Sequence, residues 1–303
     1  MIGRVVEIAE DGRFLSAERG FMTVSAEGRE LGRVPLDDIA VLLVNAHGVT
    51  YTNNLIRELA QRAAAVVLCG PNHTPFAWLW PLVGHHAQAA RMRAQIDAGR
   101  PLCKRLWQTL VQAKIEQQGA ALAALGRPAG GFRLLAREVR SGDPDNLEAQ
   151  AARRYWPLVF GPDFRRDRSL PGVNGLLNYG YTVLRSATAR AVVSAGLHPS
   201  IGIHHRNRTD DMVLVDDLME PFRPVVDIVV ARLVEQGRAE IAPDVKRDLA
   251  AVSSFDMRTQ AGTTPLAGCL ERLASSLGHA FETGEARLDL PLSPLPLELP
   301  ALE

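Results

Sequence analysis

The chain has 303 residues, of which 47% are hydrophobic and 22% charged, with 34 basic side chains against 34 acidic ones. This composition excludes a disordered or collagen-like chain, and the length exceeds what one core comfortably holds, so two domains are expected. The start, MIGRVVEIAEDGRF, is charged and alternating, which excludes a signal peptide or anchor, and no apolar run approaches the ~20 residues of a spanning helix, so a soluble, cytoplasmic protein away from the membrane is expected.

Residues 1–80 read as a small β-rich, sandwich-like domain. RVVEIA, RFLSAE, FMTVSA and IAVLLVN are short, partly alternating, and separated by charged or glycine-bearing turns at Glu10-Asp11-Gly12 and Glu27-Gly28. One helix interrupts them, LIRELAQRAA, with Asn53 or Asn54 as N-cap, and AVVLCG follows as a short buried strand. From about residue 85 the period becomes that of helices, through AQAARMRAQIDA, LCKRLWQTLVQAKIEQQGAALAAL, NLEAQAARRYWPLVF, LLNYGYTVLRSATARAVVSAG and FRPVVDIVVARLVEQG. Breaks fall at the glycine and proline clusters 99–101, 126–131, 141–144 and 170–172. The fold class is therefore α+β, with an all-α domain over 81–285. Residues 286–303 alternate leucine and proline, which cannot hold a helix and favours an extended tail.

The zero net charge hides a segregation. Residues 81–215 carry 19 basic and 10 acidic side chains, whereas 216–303 carry 8 and 15. A basic middle segment attracts a polyanion whatever the total. Arginine predominates, since Lys104, Lys114 and Lys246 are the only lysines. A GC-rich genome would produce the same bias. The cysteines, Cys69, Cys103 and Cys269, are odd in number, far apart and without a CxxC pair, which argues against disulfides and a zinc ribbon.

Chemistry concentrates in GIHHRNRTDDMVLVDDLMEPFRPVVD, residues 202–227. Histidine with carboxylates and no nearby cysteine suits a hard or borderline divalent ion such as Mg²⁺ or Mn²⁺. Beside a basic segment, that site suggests phosphodiester chemistry on a nucleic acid. Asp217 and Glu220 also fit a capping box, Asp217 as N-cap, Glu220 reaching back and Pro221 in the first turn. His205 lies in a turn-rich segment, off any apolar face, and can share an ion with Glu220. Upstream, DPDNLEAQAARRYW offers Asp143, Asp145 and Glu148. An acid in a first turn is favoured by the helix dipole alone, and spacing does not choose among the three.

N-L-E-A with a following Y-W, G-I-H-H and D-L-M-E-P-F-R-P, separated and in that order, resemble the CRISPR-associated integrase family, the enzymes that insert new spacers into CRISPR arrays. Upstream of them, TNNLIRELAQRAAAVVLCGPNHTPFAWLWPL and LWQTLVQAKIEQQ are similar to the branch that accompanies type II systems. The likeness runs from the first strands to about residue 235. It implies that Glu148, His205 and Glu220 bind one divalent cation, with Asp217 in support. It also implies attack of a DNA 3′-hydroxyl on a phosphodiester, and DNA hydrolysis when water takes that place. Arg153, Arg154, Arg206 and Arg208 are candidate phosphate contacts. The implied partners are double-stranded DNA (protospacer and CRISPR repeat), a second copy of the chain in a homodimer, a small second CRISPR-associated protein and the type II effector nuclease. The rival readings are a stand-alone metal-dependent nuclease on branched or single-stranded DNA, and an inactive DNA-binding subunit.

Overall fold

A computed structural model describes residues 4–70, 75–79, 85–205 and 211–299, which divide into two units, Met1–His86 and Ala87–Glu303. Among the described residues no helix is long and apolar enough to cross a membrane.

The first unit pairs two four-stranded sheets. One has the order β1 (Arg4–Ile8), β5 (Ile39–Val44), β7 (Ala65–Cys69), β8 (Pro75–Leu79), parallel except for the last pair. The other has the order β4 (Arg29–Pro35), β3 (Phe21–Ala26), β2 (Phe14–Glu18), β6 (Thr50–Tyr51). The unbroken apolar run IAVLLV is explained by its place: β5 lies between two parallel neighbours and is buried along its whole length. Its Leu42 and Val44 join Leu15, Met22, Leu36, Leu55 and Leu59 in a core shared by both sheets and the helix α1 (Asn53–Gln61), while Val41 and Leu43 face Val67 on the other side. The cap of α1 is Thr52, one residue before the expected asparagine, and its side chain accepts from the Leu55 amide at 3.3 Å. β4 had no apolar signature because it is an edge strand with most of its side chains in water.

The second unit is built on two long helices, α3 (Arg100–Ala124) and α6 (Val173–Ser194). α3 starts behind Gly99, with Pro101 in its first turn, and stops in a glycine-terminated turn where Arg127 N donates to Leu122 O. Around the two pack α2 (Gln88–Asp97), α4 (Phe132–Glu138), α5 (Leu147–Phe160), α7 (Val213–Met219), α8 (Arg223–Glu235), α9 (Pro243–Ala250) and α10 (Leu266–Thr283). α4, α7 and α9 are of eight residues or fewer, too short for a periodic signal. α10 does carry the period, with Leu266, Leu270, Leu273 and Leu277 buried, although it was not among the expected helices. Among the described residues the unit departs from all-α in one hairpin, β9 (Asp256–Thr259) with β10 (Gly262–Pro265). The leucine-proline tail lies along that hairpin, with Leu292 N and Leu297 N donating to Arg258 O and Asp256 O at 2.8 Å each.

Helix α6 approaches α8 closely at Gly180, where an added Cβ would overlap Val226 Cγ1. Overpacking a tight helix contact costs about 1–3 kcal/mol. Gly180→Ala is therefore expected to lower the thermal midpoint, and a midpoint equal to the parent's would show that the two helices can separate freely.

Candidate active site

The three carboxylates of the loop before α5 and its first turn have three tasks. Asp143, in the left-handed region (φ 47°), accepts from Leu147 N at 2.8 Å and Glu148 N at 3.0 Å, so its carboxylate, and not the side chain of Asn146 at the N-cap position, satisfies the first amides of α5. Asp145 pairs with the exposed Arg140 at 2.8 Å. Glu148 is left to turn inward, where Oε1 meets the ammonium of Lys114 on α3.

Glu220 meets the same ammonium from the other side. It opens a 3₁₀ turn, Glu220–Phe222, that joins α7 to α8. Pro221 and Pro224 lack the amides that would bond the carbonyls of Asp217 and Glu220, so the α-helical ladder is interrupted here. Glu220 Oε2 lies 2.5 Å from Lys114 Nζ, and Oε1 receives Arg223 Nη1 at 2.7 Å. Burial alone would raise the pKa of Glu220, but Arg223 and Lys114 outweigh it and bring it to about 2.

The capping-box reading of Asp217 and Glu220 does not survive, because α7 begins at Val213 and Asp217 is inside it, fully buried. Its carboxylate accepts from the backbone amides of Ile203, His204 and His205 at 2.7, 2.9 and 3.3 Å, and from His205 Nδ1 at 2.6 Å. That bond raises the pKa of His205 and directs its Nε2 away from Asp217. The loop leaves no room at Gly202, where a Cβ would come within 2.7 Å of His205 O and 3.1 Å of Asp217 Oδ2. From the other end Gln95 on α2 holds the loop, donating to His198 O and Ile201 O at 2.9 and 2.8 Å and accepting from His198 N at 2.8 Å.

Trp107 lies seven residues before Lys114 on α3, two turns along one face. The His204 ring stacks on it at 4.2 Å, within 4° of parallel, and His205 meets its edge at 5.4 Å. Burial and the neighbouring His205 lower the pKa of His204. Behind Glu220, Arg223 sits over the Tyr181 ring at 4.4 Å, and the Tyr181 hydroxyl donates to the buried Asp227. Tyr155 is buried beside the same carboxylate.

Of the residues singled out from sequence, Glu148 and Glu220 thus meet on one cationic group, and His205, held by Asp217, feels the charge of both. Among the described residues no three His, Cys, Asp or Glu side chains are grouped closely enough to hold a metal as they stand. Arg153 and Arg154 are exposed on α5, while Arg206 and Arg208 lie outside the described residues. Lys114, Trp107, Gln95, Tyr181, Arg223 and Asp227 were not anticipated. Lys114 left a signal: it is one of three lysines in an arginine-rich chain and sits among the apolar positions of α3.

The family model for CRISPR associated protein Cas1 matches residues 6–253, and the chain belongs to that family. It is 34% identical over 300 residues to the CRISPR-associated endonuclease Cas1 of Neisseria meningitidis serogroup C (strain 8013), covering 98% of this chain and 97% of the relative. A casposase bound to its integration product has a similar fold, with a TM-score of 0.78 at 18% identity over 94% of this chain and 92% of that one. So does a chain of a Cas6-RT-Cas1–Cas2 complex, with a TM-score of 0.72 at 17% identity over 95% of this chain and 36% of that one.

Burial raises the pKa of Asp227 from 3.8 to about 6, against the opposing effect of Tyr181 and Arg223. The folded chain therefore keeps a proton that the unfolded chain loses, and stability falls as pH rises from about 4 to about 6, by on the order of 3 kcal/mol. Asp227→Asn is expected to abolish that fall in denaturant titrations across the interval. An unchanged slope would mean that Asp227 ionises normally in the fold.

Proposed function

We propose that this chain is a metal-dependent DNA endonuclease and integrase, inserting spacer DNA into a CRISPR array through attack of a 3′-hydroxyl on a phosphodiester. The observation that carries the reading is that Glu148 and Glu220, far apart in sequence, converge on one positive charge beside His205 in a chain of the Cas1 family. The donor set fits a hard divalent cation. Two carboxylates already gather around a cation, and the imidazole has one nitrogen committed to a carboxylate, the arrangement that orients a metal-binding histidine. Mg²⁺ or Mn²⁺ bound there would polarise the phosphoryl group and offset the charge that develops on it.

The chain's own groups supply the rest. Asp217 fixes the tautomer and aim of His205, and Trp107 limits the tilt of the loop. Arg223 keeps Glu220 ionised. Exposed Arg153 and Arg154, with Arg206 and Arg208, supply phosphate contacts. The Cas2 complex and the integration product among the structural relatives support a DNA substrate and a small Cas2 partner here as well. A homodimer and an interaction with the type II effector nuclease complete the proposal.

Glu220→Ala is a poor test, because it would take one buried carboxylate away from both Lys114 and Arg223, and breaking a buried ion pair costs about 3–5 kcal/mol. Glu148 is more exposed, at 28%, and Glu148→Gln keeps its shape. With a supercoiled, repeat-bearing plasmid and a protospacer duplex, the parent is expected to produce strand-transfer products and Glu148→Gln to lose at least ~100-fold in rate, with DNA affinity within about tenfold. Cleavage by the parent without strand transfer would favour the stand-alone nuclease, and full activity in Glu148→Gln would refute the assignment.

A further inference from the structure

We propose that Lys114 is a built-in counter-ion, holding the position between Glu148 and Glu220 in the metal-free protein, so that a divalent cation binds by exchange against its ammonium group. The inference rests on the reading of Glu148, His205 and Glu220 as a cation site, and adds what that site contains before the ion arrives.

The oxygens of Glu220 require it. Oε1 is taken by Arg223 at 2.7 Å and Oε2 by Lys114 at 2.5 Å, and the side chain is only 8% exposed. Glu148 gives Oε1 to the same ammonium. A divalent ion binds carboxylate oxygens at about 2.0–2.6 Å, so an ion shared by Glu148 Oε1 and Glu220 Oε2 would overlap the Lys114 nitrogen. One cation has to leave.

Arg223 is not the one. Its guanidinium is also held against the Tyr181 ring at 4.4 Å. Among the described residues the Lys114 ammonium is paired with the two glutamates alone, at the end of a flexible four-carbon stem. Exchange is also the electrostatically moderate course, since the local charge then rises by one instead of two. Until the ion arrives, Lys114 prevents two carboxylates from facing each other at close range with little water to screen them. It thus keeps the ligands assembled, at the expense of affinity for the ion.

With lysines only at 104, 114 and 246, the prediction can be read directly. Acetylation of the full-length protein, followed residue by residue by mass spectrometry, is expected to be slow at Lys114 without metal. With saturating Mn²⁺ it should become several-fold faster at Lys114 and unchanged at the exposed Lys104. In calorimetry Lys114→Met is expected to bind Mn²⁺ at least about tenfold more tightly than the parent, and Lys104→Met like the parent. If Lys114→Met fails to fold without metal, the acetylation of the parent decides alone. Mn²⁺ binding to the parent with Lys114 equally protected, or unimproved affinity in folded Lys114→Met, would overturn the exchange while leaving the cation site standing. No Mn²⁺ binding to either protein would overturn the site and the exchange together.

Discussion

A fully buried carboxylate has to be met by donors, and at Asp217 those donors come from a loop. Three consecutive backbone amides, of Ile203, His204 and His205, point at its oxygens together with the His205 imidazole. Each amide would cost about 1–3 kcal/mol if left without a partner, so the loop has one good position and little freedom to leave it. Everything at the site follows from that constraint. Gly202 must be a glycine because the loop presses against the acid that holds it, and His205 aims its free nitrogen outward because the other is engaged. Asp217 sits in α7 one turn before Glu220, so a single stretch of chain sets both the histidine and the second glutamate.

Charge at the site is balanced in layers. Lys114 stands between the two glutamates, Arg223 backs Glu220, and Tyr181 and Asp227 back Arg223. No ion in this chain of contacts is buried without a partner, which is the condition under which buried charges are tolerable. The arrangement costs stability through Asp227, whose ionisation burial opposes. It gains a rigid base for Glu220, the kind of support that functional groups require if they are to be held within a fraction of an ångström.

Much of this was legible in the sequence, and what was not had physical reasons. Long periodic helices such as α3 and α6, and the doubly buried run of β5, declare themselves through spacing. The edge strand β4 and the short α4, α7 and α9 bury too few side chains in sequence to do so. The acids were harder. D-x-x-E reads locally as a capping box, and only the fold shows that Asp217 spends its bonds on residues 12 to 14 positions earlier. Likewise Asp143, Asp145 and Glu148 are equivalent by spacing, and a remote lysine distinguishes them. The family motifs singled out Glu148, His205 and Glu220, and the fold brings the two glutamates onto one lysine. They did not disclose the role of Lys114: its place among the apolar positions of α3 signals burial, but the two glutamates that it meets lie far away in sequence.

In the proposed cation site the Asp217-held His205, and not its neighbour His204, joins the two glutamates. Electron spin echo spectroscopy of the Mn²⁺-loaded protein reads this directly, through the modulation that a coordinated imidazole nitrogen imposes on the manganese signal. Nitrogen modulation is expected in the parent and in His204→Ala, and its loss in His205→Ala. Modulation that persists in His205→Ala, or disappears only in His204→Ala, would contradict that assignment.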